Sequence, residues 1–204
     1  MSRKCCTNCL RPLKTCICNL VQRINNDVQL IILQHPLEIN EAKNSGRLLH
    51  LCLKNSQLFT GETFDQSLFT QDEDYSNLLL YPETAEINSL GLASPRASHQ
   101  GLIADNLLDI KPLRLWVLDA TWRKSRKMLY LNSGLQTMPR LSLQNCPPTL
   151  YTVRKAHSKN QLSTLEASCY ALQQLEHHKV DYAPVLNAFM ALNKQLQFFL
   201  PRTL

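Results

Sequence analysis

With 204 residues, 44% hydrophobic and 19% charged, the chain is long enough for one substantial core plus a small appendage, in the proportions of a soluble globular protein. Its longest apolar run is five residues, Ala188 to Leu192, against the roughly 18 a membrane span needs, and the start Met1-Ser2-Arg3-Lys4-Cys5 has no apolar stretch behind it, so neither a span nor a secretory signal is expected. The formal net charge is +6 with a pI near 8.9, which admits a polyanionic partner.

The first predicted element is a cysteine knuckle. Cys6-x2-Cys9-x6-Cys16-x-Cys18 gathers four thiols in one short, glycine-poor segment, and a tetrahedral zinc wants four such soft donors. Cys6, Cys9, Cys16 and Cys18 are the expected ligands of a structural Zn2+ with no open position for a catalytic water. The Cys-x-Cys half is narrower than usual, and Cys5 beside Cys6 offers a second choice of ligand. Cys6-x-x-Cys9 does not sit in the strand-to-helix setting of a redox pair. Eight cysteines without a signal sequence favour metal or thiol chemistry in a reducing cytosol, hence a cytoplasmic protein. Residues 1–26 are expected to form this knuckle and residues 27–204 the main domain. The knuckle segment also carries Arg3, Lys4, Arg11, Lys14 and Arg23 and no acid.

Val28 to Leu33 is β-branched and apolar and reads as a buried strand stopped by Gln34-His35-Pro36. A helix is expected over about 42–54. Residues 60–76 read as polar and irregular with at most a short strand. Leu78 to Tyr81 is a second buried strand, ended by Pro82. Residues 89–106 read as a loop. Leu115 to Leu118 is a third strand, followed by Asp119-Ala120-Thr121-Trp122 and a helix ending near Gly134. Pro139 to Leu143 and Leu150 to Val153 are further strand candidates. Ser163-Thr164-Leu165-Glu166 has capping-box spacing and opens a helix through about His178. Leu186, Phe189, Met190, Leu196 and Phe199 give a last amphipathic helix. Strands alternating with helices predict an α/β domain with a mainly parallel sheet, whose working site lies beyond the carboxyl ends of the strands. His35, Pro82 and Asp119 all fall there.

Asp119 or Thr121 by itself reads as a cap of the following helix. Its surroundings add more: an acid at a strand exit, Trp122 three residues on, then Arg123-Lys124-Ser125-Arg126-Lys127 with four positive charges. An acid, a flat ring and phosphate-seeking side chains suit an enzyme acting on a nucleobase. Residues 60–88 hold seven acids and no lysine or arginine, so a polyanion is expected to touch the basic regions while this stretch faces elsewhere. His35 alone reads as a turn residue that satisfies local backbone groups. Ser163 and Glu166 are explained by capping, although a helix N-terminus also binds anions. No G-x-G-x-x-G, Walker A loop, G-x-S-x-G or H-E-x-x-H is present, which disfavours a dinucleotide fold, a P-loop ATPase, an elbow hydrolase and a zincin.

In order along the chain, six fragments resemble the DTW-domain family of tRNA-uridine aminocarboxypropyltransferases. They are the knuckle with Arg11-Pro12; His35-Pro36-Leu37-Glu38 through Lys43-Asn44-Ser45-Gly46-Arg47-Leu48; Leu80-Tyr81-Pro82; Leu118-Asp119-Ala120-Thr121-Trp122; Tyr151 to Lys155; and Leu162 to Ala167. Ser45 stands where threonine is common, and Ala120 holds the variable position of the signature.

The resemblance implies a SPOUT-like α/β catalytic domain over 27–204 with a C-terminal knot. It also implies transfer of the 3-amino-3-carboxypropyl group of S-adenosylmethionine to N3 of a tRNA uridine, releasing methylthioadenosine. On that basis Asp119, Thr121 and Trp122 are the catalytic candidates, with Asp119 holding or accepting the N3 imide proton. Leu80, Tyr81, Pro82, Leu118, Leu162, Ser163 and Thr164 are the donor-binding candidates. His35, Glu38, Arg123, Lys124, Arg126, Lys127 and Arg154 are the candidates for tRNA. An S-adenosylmethionine-dependent RNA methyltransferase and a non-catalytic, zinc-stabilised RNA-binding protein are the competing readings.

Overall fold

The computed structural model describes residues 4–70, 74–82, 111–143, 147–149 and 162–199. Among them, five strands form one sheet: β1 (Gln29–Gln34), β2 (Ser56–Thr60), β3 (Ser76–Leu80), β4 (Leu113–Asp119) and β5 (Arg140–Leu141). The order is β2-β1-β4-β3-β5, and every neighbouring pair runs parallel. The mainly parallel sheet expected from the alternation of elements is therefore present.

A parallel sheet hides both faces, which explains why the strand sequences are apolar without alternating. Alternate side chains go to different layers. Leu30, Ile32, Leu78, Leu115 and Val117 join one cluster with α1 (Gly46–Cys52), α5 (Thr164–Leu175) and α6 (Ala183–Phe199). Ile31, Leu33, Leu79, Trp116 and Leu118 join the other with α3 (Trp122–Leu131) and α4 (Ser133–Thr137), edged by Phe69 of α2 (Ser67–Thr70). The knuckle is fastened to the first layer: Cys9 and Ile17 are buried in that cluster, and Gln195 of α6 donates to the Cys16 carbonyl (3.3 Å).

Several boundaries differ from the sequence expectation, for physical reasons. The first helix spans Gly46–Cys52 and not 42–54, because Asn44 is spent on the turn before it. Strand β2 is additional to the expected elements: its half-exposed residues contain only two apolar side chains, and its pairing with β1 supplies what patterning does not. Residues 60–76 are less irregular than expected, since α2 falls within them. The helix expected to run to Gly134 stops at Leu131, where Asn132 donates back to the Met128 carbonyl (2.6 Å) and to the Glu62 carbonyl (2.9 Å). Gly134 instead lies inside α4, where a Cβ would stand 2.4 Å from the Phe69 ring. That ring packs on Trp116 at 5.4 Å. Strand β5 is shorter than Pro139 to Leu143. Helix α5 ends at Leu175 and not His178, because His177 and His178 turn to positive φ. The loop expected at 89–106 and the strand at Leu150 to Val153 lie outside the described residues. Among the described residues no helix is long and apolar enough to cross a membrane.

Candidate active site and metal centre

Strand alternation decides where Asp119 points. Gln34 and Asp119 are register partners at the ends of β1 and β4, and both continue the set that faces α1 and α5. The first residue of α1 is Gly46 and the first of α5 is Thr164, so two helix N-termini converge on the carboxylate. Asp119 is only 4% exposed. Its Oδ2 accepts from Asn44 Nδ2 (2.6 Å) and Gln34 Nε2 (2.9 Å). Asn44 Oδ1 accepts in turn from Gln34 Nε2 (3.2 Å) and the Gly46 N–H (3.1 Å). Gly46 has to be glycine: a Cβ there would lie 2.3 Å from Asp119 Oδ2 and 2.6 Å from its Cγ.

Burial pushes the Asp119 carboxyl above its ordinary value. Asn44, then Gln34, then the Thr164 hydroxyl pull it back, and the charge of Glu38 pushes it up further. The result is a carboxyl held rigidly, with a raised affinity for a proton, at the edge of a cavity.

That cavity has a volume of about 930 Å³, the size of a site for a nucleoside-like ligand. Its floor is the strand ends Leu80, Tyr81 and Pro82 of β3, Val117, Leu118 and Asp119 of β4, and Leu141 of β5. One wall is the 38–45 loop with Glu38, Glu41, Lys43, Asn44 and Ser45. The others are the start of α3 (Thr121, Trp122, Lys124, Ser125) and the start of α5 (Leu162, Ser163, Thr164, Ala167), with Leu143 and Pro147. Trp122 stacks on Tyr81 with centroids 5.4 Å apart and planes 19° apart. Tyr81 OH lies 3.3 Å from Ser125 Oγ. This fixes a stacked aromatic pair in the lining of the cavity that Asp119 also borders.

All ten catalytic and donor-binding candidates line this one cavity, together with Glu38 and Lys124. Thr121 makes no side-chain cap for α3, so capping does not account for it. Ser163 does cap α5: its Oγ accepts the Glu166 N–H (3.2 Å), and the buried Glu166 carboxylate accepts the Ser163 N–H (2.9 Å) and the Thr149 hydroxyl. Glu166 therefore takes part of the positive end that an incoming anion would use.

His35 is brought elsewhere. It is 2% exposed and does not line the cavity. Its Nδ1 accepts from the Leu37 N–H (3.1 Å), so the ring proton sits on Nε2, which bonds Glu62 (2.6 Å). Glu62 also pairs with Lys127 (2.8 Å), and Lys124 pairs with Glu38 (2.8 Å). Lys127 first, then His35, hold the Glu62 carboxyl below its usual range. The acidic stretch thus does not wholly face elsewhere, because Glu62 folds back onto the basic helix and cancels part of its charge. Arg123 is exposed and Arg126 half-buried on α3, outside the cavity lining. Arg154 lies outside the described residues. Sequence reasoning missed Gln34 and Asn44 as site residues. The signal was there: a glutamine closing an apolar strand, and an asparagine two residues before a glycine at a helix start.

The knuckle meets the requirement for a metal. The Sγ atoms of Cys6, Cys9, Cys16 and Cys18 lie within 4.8 Å of one another, and Cys5 is outside the group. Cys6 and Cys18 are 3.6 Å apart and Cys9 and Cys16 3.7 Å. The edge of a tetrahedron with Zn–S bonds of about 2.3 Å is about 3.8 Å. The backbone N–H groups of Cys9 and then Asn8 lower the Cys6 thiol to about 6, favouring the thiolate a metal binds. Burial, the largest influence on Cys18, pushes its thiol up to about 12.

A parallel α/β sheet with a large cavity past its carboxyl ends, an aromatic wall and a cluster of four cysteines that could hold a metal ion defines an α/β protein with an N-terminal cysteine knuckle. The DTW domain family matches residues 3–197, and the chain belongs to that family. It is 28% identical over 198 residues to tRNA-uridine aminocarboxypropyltransferase 2 of Macaca fascicularis, covering 92% of this chain and 61% of that protein. The Mus musculus protein of the same name matches to the same extent. tRNA-uridine aminocarboxypropyltransferase A of Arabidopsis thaliana is 29% identical over 136 residues, 62% of this chain and 50% of that protein. The chain thus spans about 61% of the length of the first two relatives. No solved structure gives a significant match.

Proposed function

We propose that this protein transfers the 3-amino-3-carboxypropyl group of S-adenosylmethionine to N3 of a uridine in tRNA. Membership of the DTW family and the names of the relatives support the substrate class. The observation that carries the reading is the placement of Asp119: a proton-seeking carboxyl, fixed by two amides, on the wall of a cavity large enough for the donor and an extruded base.

The bound donor supplies a sulfonium-activated carbon and a thioether leaving group. The protein's residues do the rest. Asp119 takes or orients the imide proton of N3, so that the nitrogen lone pair is free to form the new N–C bond as the C–S bond breaks and its electrons go to sulfur. Trp122, on Tyr81, offers a flat apolar surface that excludes water and raises the carboxyl's proton affinity. Leu80, Tyr81, Pro82, Leu118 and Leu162 enclose the adenosine half. The donor carboxylate meets the backbone N–H groups at the start of α5, Thr164 and Leu165, since Ser163 is committed to its cap. Geometry then selects the aminocarboxypropyl carbon over the methyl: only the former lies in line with N3 and sulfur.

Zn2+ on Cys6, Cys9, Cys16 and Cys18 would hold the knuckle, and the knuckle's Lys4, Lys14 and Arg23 with Arg123 and Arg126 position tRNA phosphates, whereas Arg11 is spent on the Ala42 and Asn44 carbonyls. Lys124 and Lys127, already paired, contribute less. The SPOUT-like reading with a knot rests on connectivity. β5 lies at the sheet edge beside β3, yet α5, which follows it, packs on β4 and α1, a return that a knot requires. The work of residues 1–26 as a unit separate from 27–204 belongs to the same reading.

The test is incubation with labelled donor and bulk tRNA, followed by mass analysis of the nucleosides. The expected product carries the amino-acid group on uridine. Gain of a methyl alone would make the protein a methyltransferase. tRNA binding with no donor affinity would make it a binding protein.

A further inference from the structure

We infer that Arg11 is a positioning residue, which clamps the knuckle to the 42–46 loop and thereby fixes Asn44 against Asp119; its catalytic meaning rests on the functional reading above. Arg11 Nη2 donates to the Asn44 carbonyl (2.6 Å) and Nη1 to the Ala42 carbonyl (3.0 Å). Arg47, in the first turn of α1, reaches the other way: its Nη2 donates to the Asn8 carbonyl (2.8 Å), between Cys6 and Cys9. Two guanidinium groups thus bolt the segment 42–47 to the knuckle from both ends.

The side chain of Asn44 is the next link, through Nδ2 to Asp119 and through Oδ1 from Gly46 and Gln34. Its backbone is held by the knuckle and its side chain holds the carboxylate, so a shift of one is delivered to the other. A planar fork holds two carbonyls at a fixed spacing, which a compact ammonium on a flexible stem does less rigidly. Neither Arg11 nor Arg47 lines the cavity, so neither is offered as a substrate contact.

The experiment compares Arg11→Ala and Arg11→Lys with the wild-type full chain. Zinc per chain, KM for tRNA and the salt dependence of tRNA binding stay unchanged, while kcat falls about tenfold or more in Arg11→Ala and less in Arg11→Lys. Amide exchange at Gly46 and Arg47 quickens about tenfold. The acidic limb of kcat moves to higher pH, because Asn44 is the foremost group holding the proton affinity of Asp119 down. The charged groups sharing that cavity are Glu38 with its partner Lys124, Glu41 and Lys43.

The double variant with Asn44→Ala is no slower than Asn44→Ala alone. Unchanged exchange, additive losses, or a raised KM with a flatter salt slope and intact kcat would each overturn the inference, the last making Arg11 a phosphate contact. If Arg11→Ala loses zinc or fails to fold, Arg11→Lys is judged by the same criteria. If the wild type transfers nothing, the functional reading falls, and the amide exchange alone decides the clamp.

Discussion

Asp119 and Glu176 are both 4% exposed, and each accepts three side-chain or backbone donors, yet they sit at opposite ends of the sheet in different surroundings. Glu176, the residue that closes α5, takes the N–H groups of Asp27 (2.8 Å) and Val28 (2.9 Å) on one oxygen and the Tyr182 hydroxyl (2.7 Å) on the other. It staples the start of β1 to the helical layer at the amino ends of the strands. Asp119 takes side-chain amides and a hydroxyl at the carboxyl ends, beside a cavity about three times the size of the recess of about 320 Å³ that Glu176 borders. A buried carboxylate is thus no sign of function in itself. What separates the two is that backbone N–H groups supply two of the three donors to Glu176, whereas Asp119 is held by side chains alone at the edge of the larger cavity.

The largest expected effect tests that contrast directly. Asp119→Ala lowers the transfer rate about a thousandfold or more while tRNA binding stays within a few fold. Glu176→Ala strands three donors and costs about 3 kcal/mol of stability, but the rate per folded molecule stays near wild type. Thermal melts paired with active-fraction-normalised kinetics separate them. A Glu176→Ala protein that melts normally but turns over slowly would erase the distinction.

A smaller loss comes from crowding the acid without removing it. Gly46→Ala drives a methyl into the Asp119 carboxylate, so transfer falls about a hundredfold from misplacement alone, at about 1–3 kcal/mol of overpacking. Unaltered kinetics in that variant would mean that the carboxylate has room the structure does not show.

The smallest effect concerns stability and has the opposite sign. Because the folded value of Asp119 lies above its ordinary 3.8, the folded state binds more protons than the unfolded one above that pH, and stability falls as pH rises through this window. Asp119→Asn therefore raises the melting temperature by a few degrees at pH 7, even as it removes activity, and the gain disappears near pH 3.8. Melting curves at the two pH values check it. A variant less stable at pH 7 would show the carboxylate to be a stabilising group like Glu176.

Much of this was written in local chemistry. Four thiols within thirteen residues dictate their own cluster, since short spacing leaves them nowhere else to go. The buried strands β1, β3 and β4 follow from uninterrupted apolar runs, and the capping box of α5 from Ser163 and Glu166. Asp119, Thr121, Trp122 and the donor-binding candidates were nameable from the fragments that resemble the DTW family, and they fall near strand exits and helix starts. Tertiary structure alone decided the rest. That Gln34 and Asn44 hold Asp119 depends on the register of β1 against β4 and on where α1 begins, which no local pattern specifies. Glu62 pairing with His35 and Lys127, and Arg11 reaching Asn44, join residues 27 or more positions apart. Hydrogen bonds need ångström-scale alignment of groups that the chain brings together only on folding, whereas hydrophobic runs and ligand spacings are set by neighbours along it.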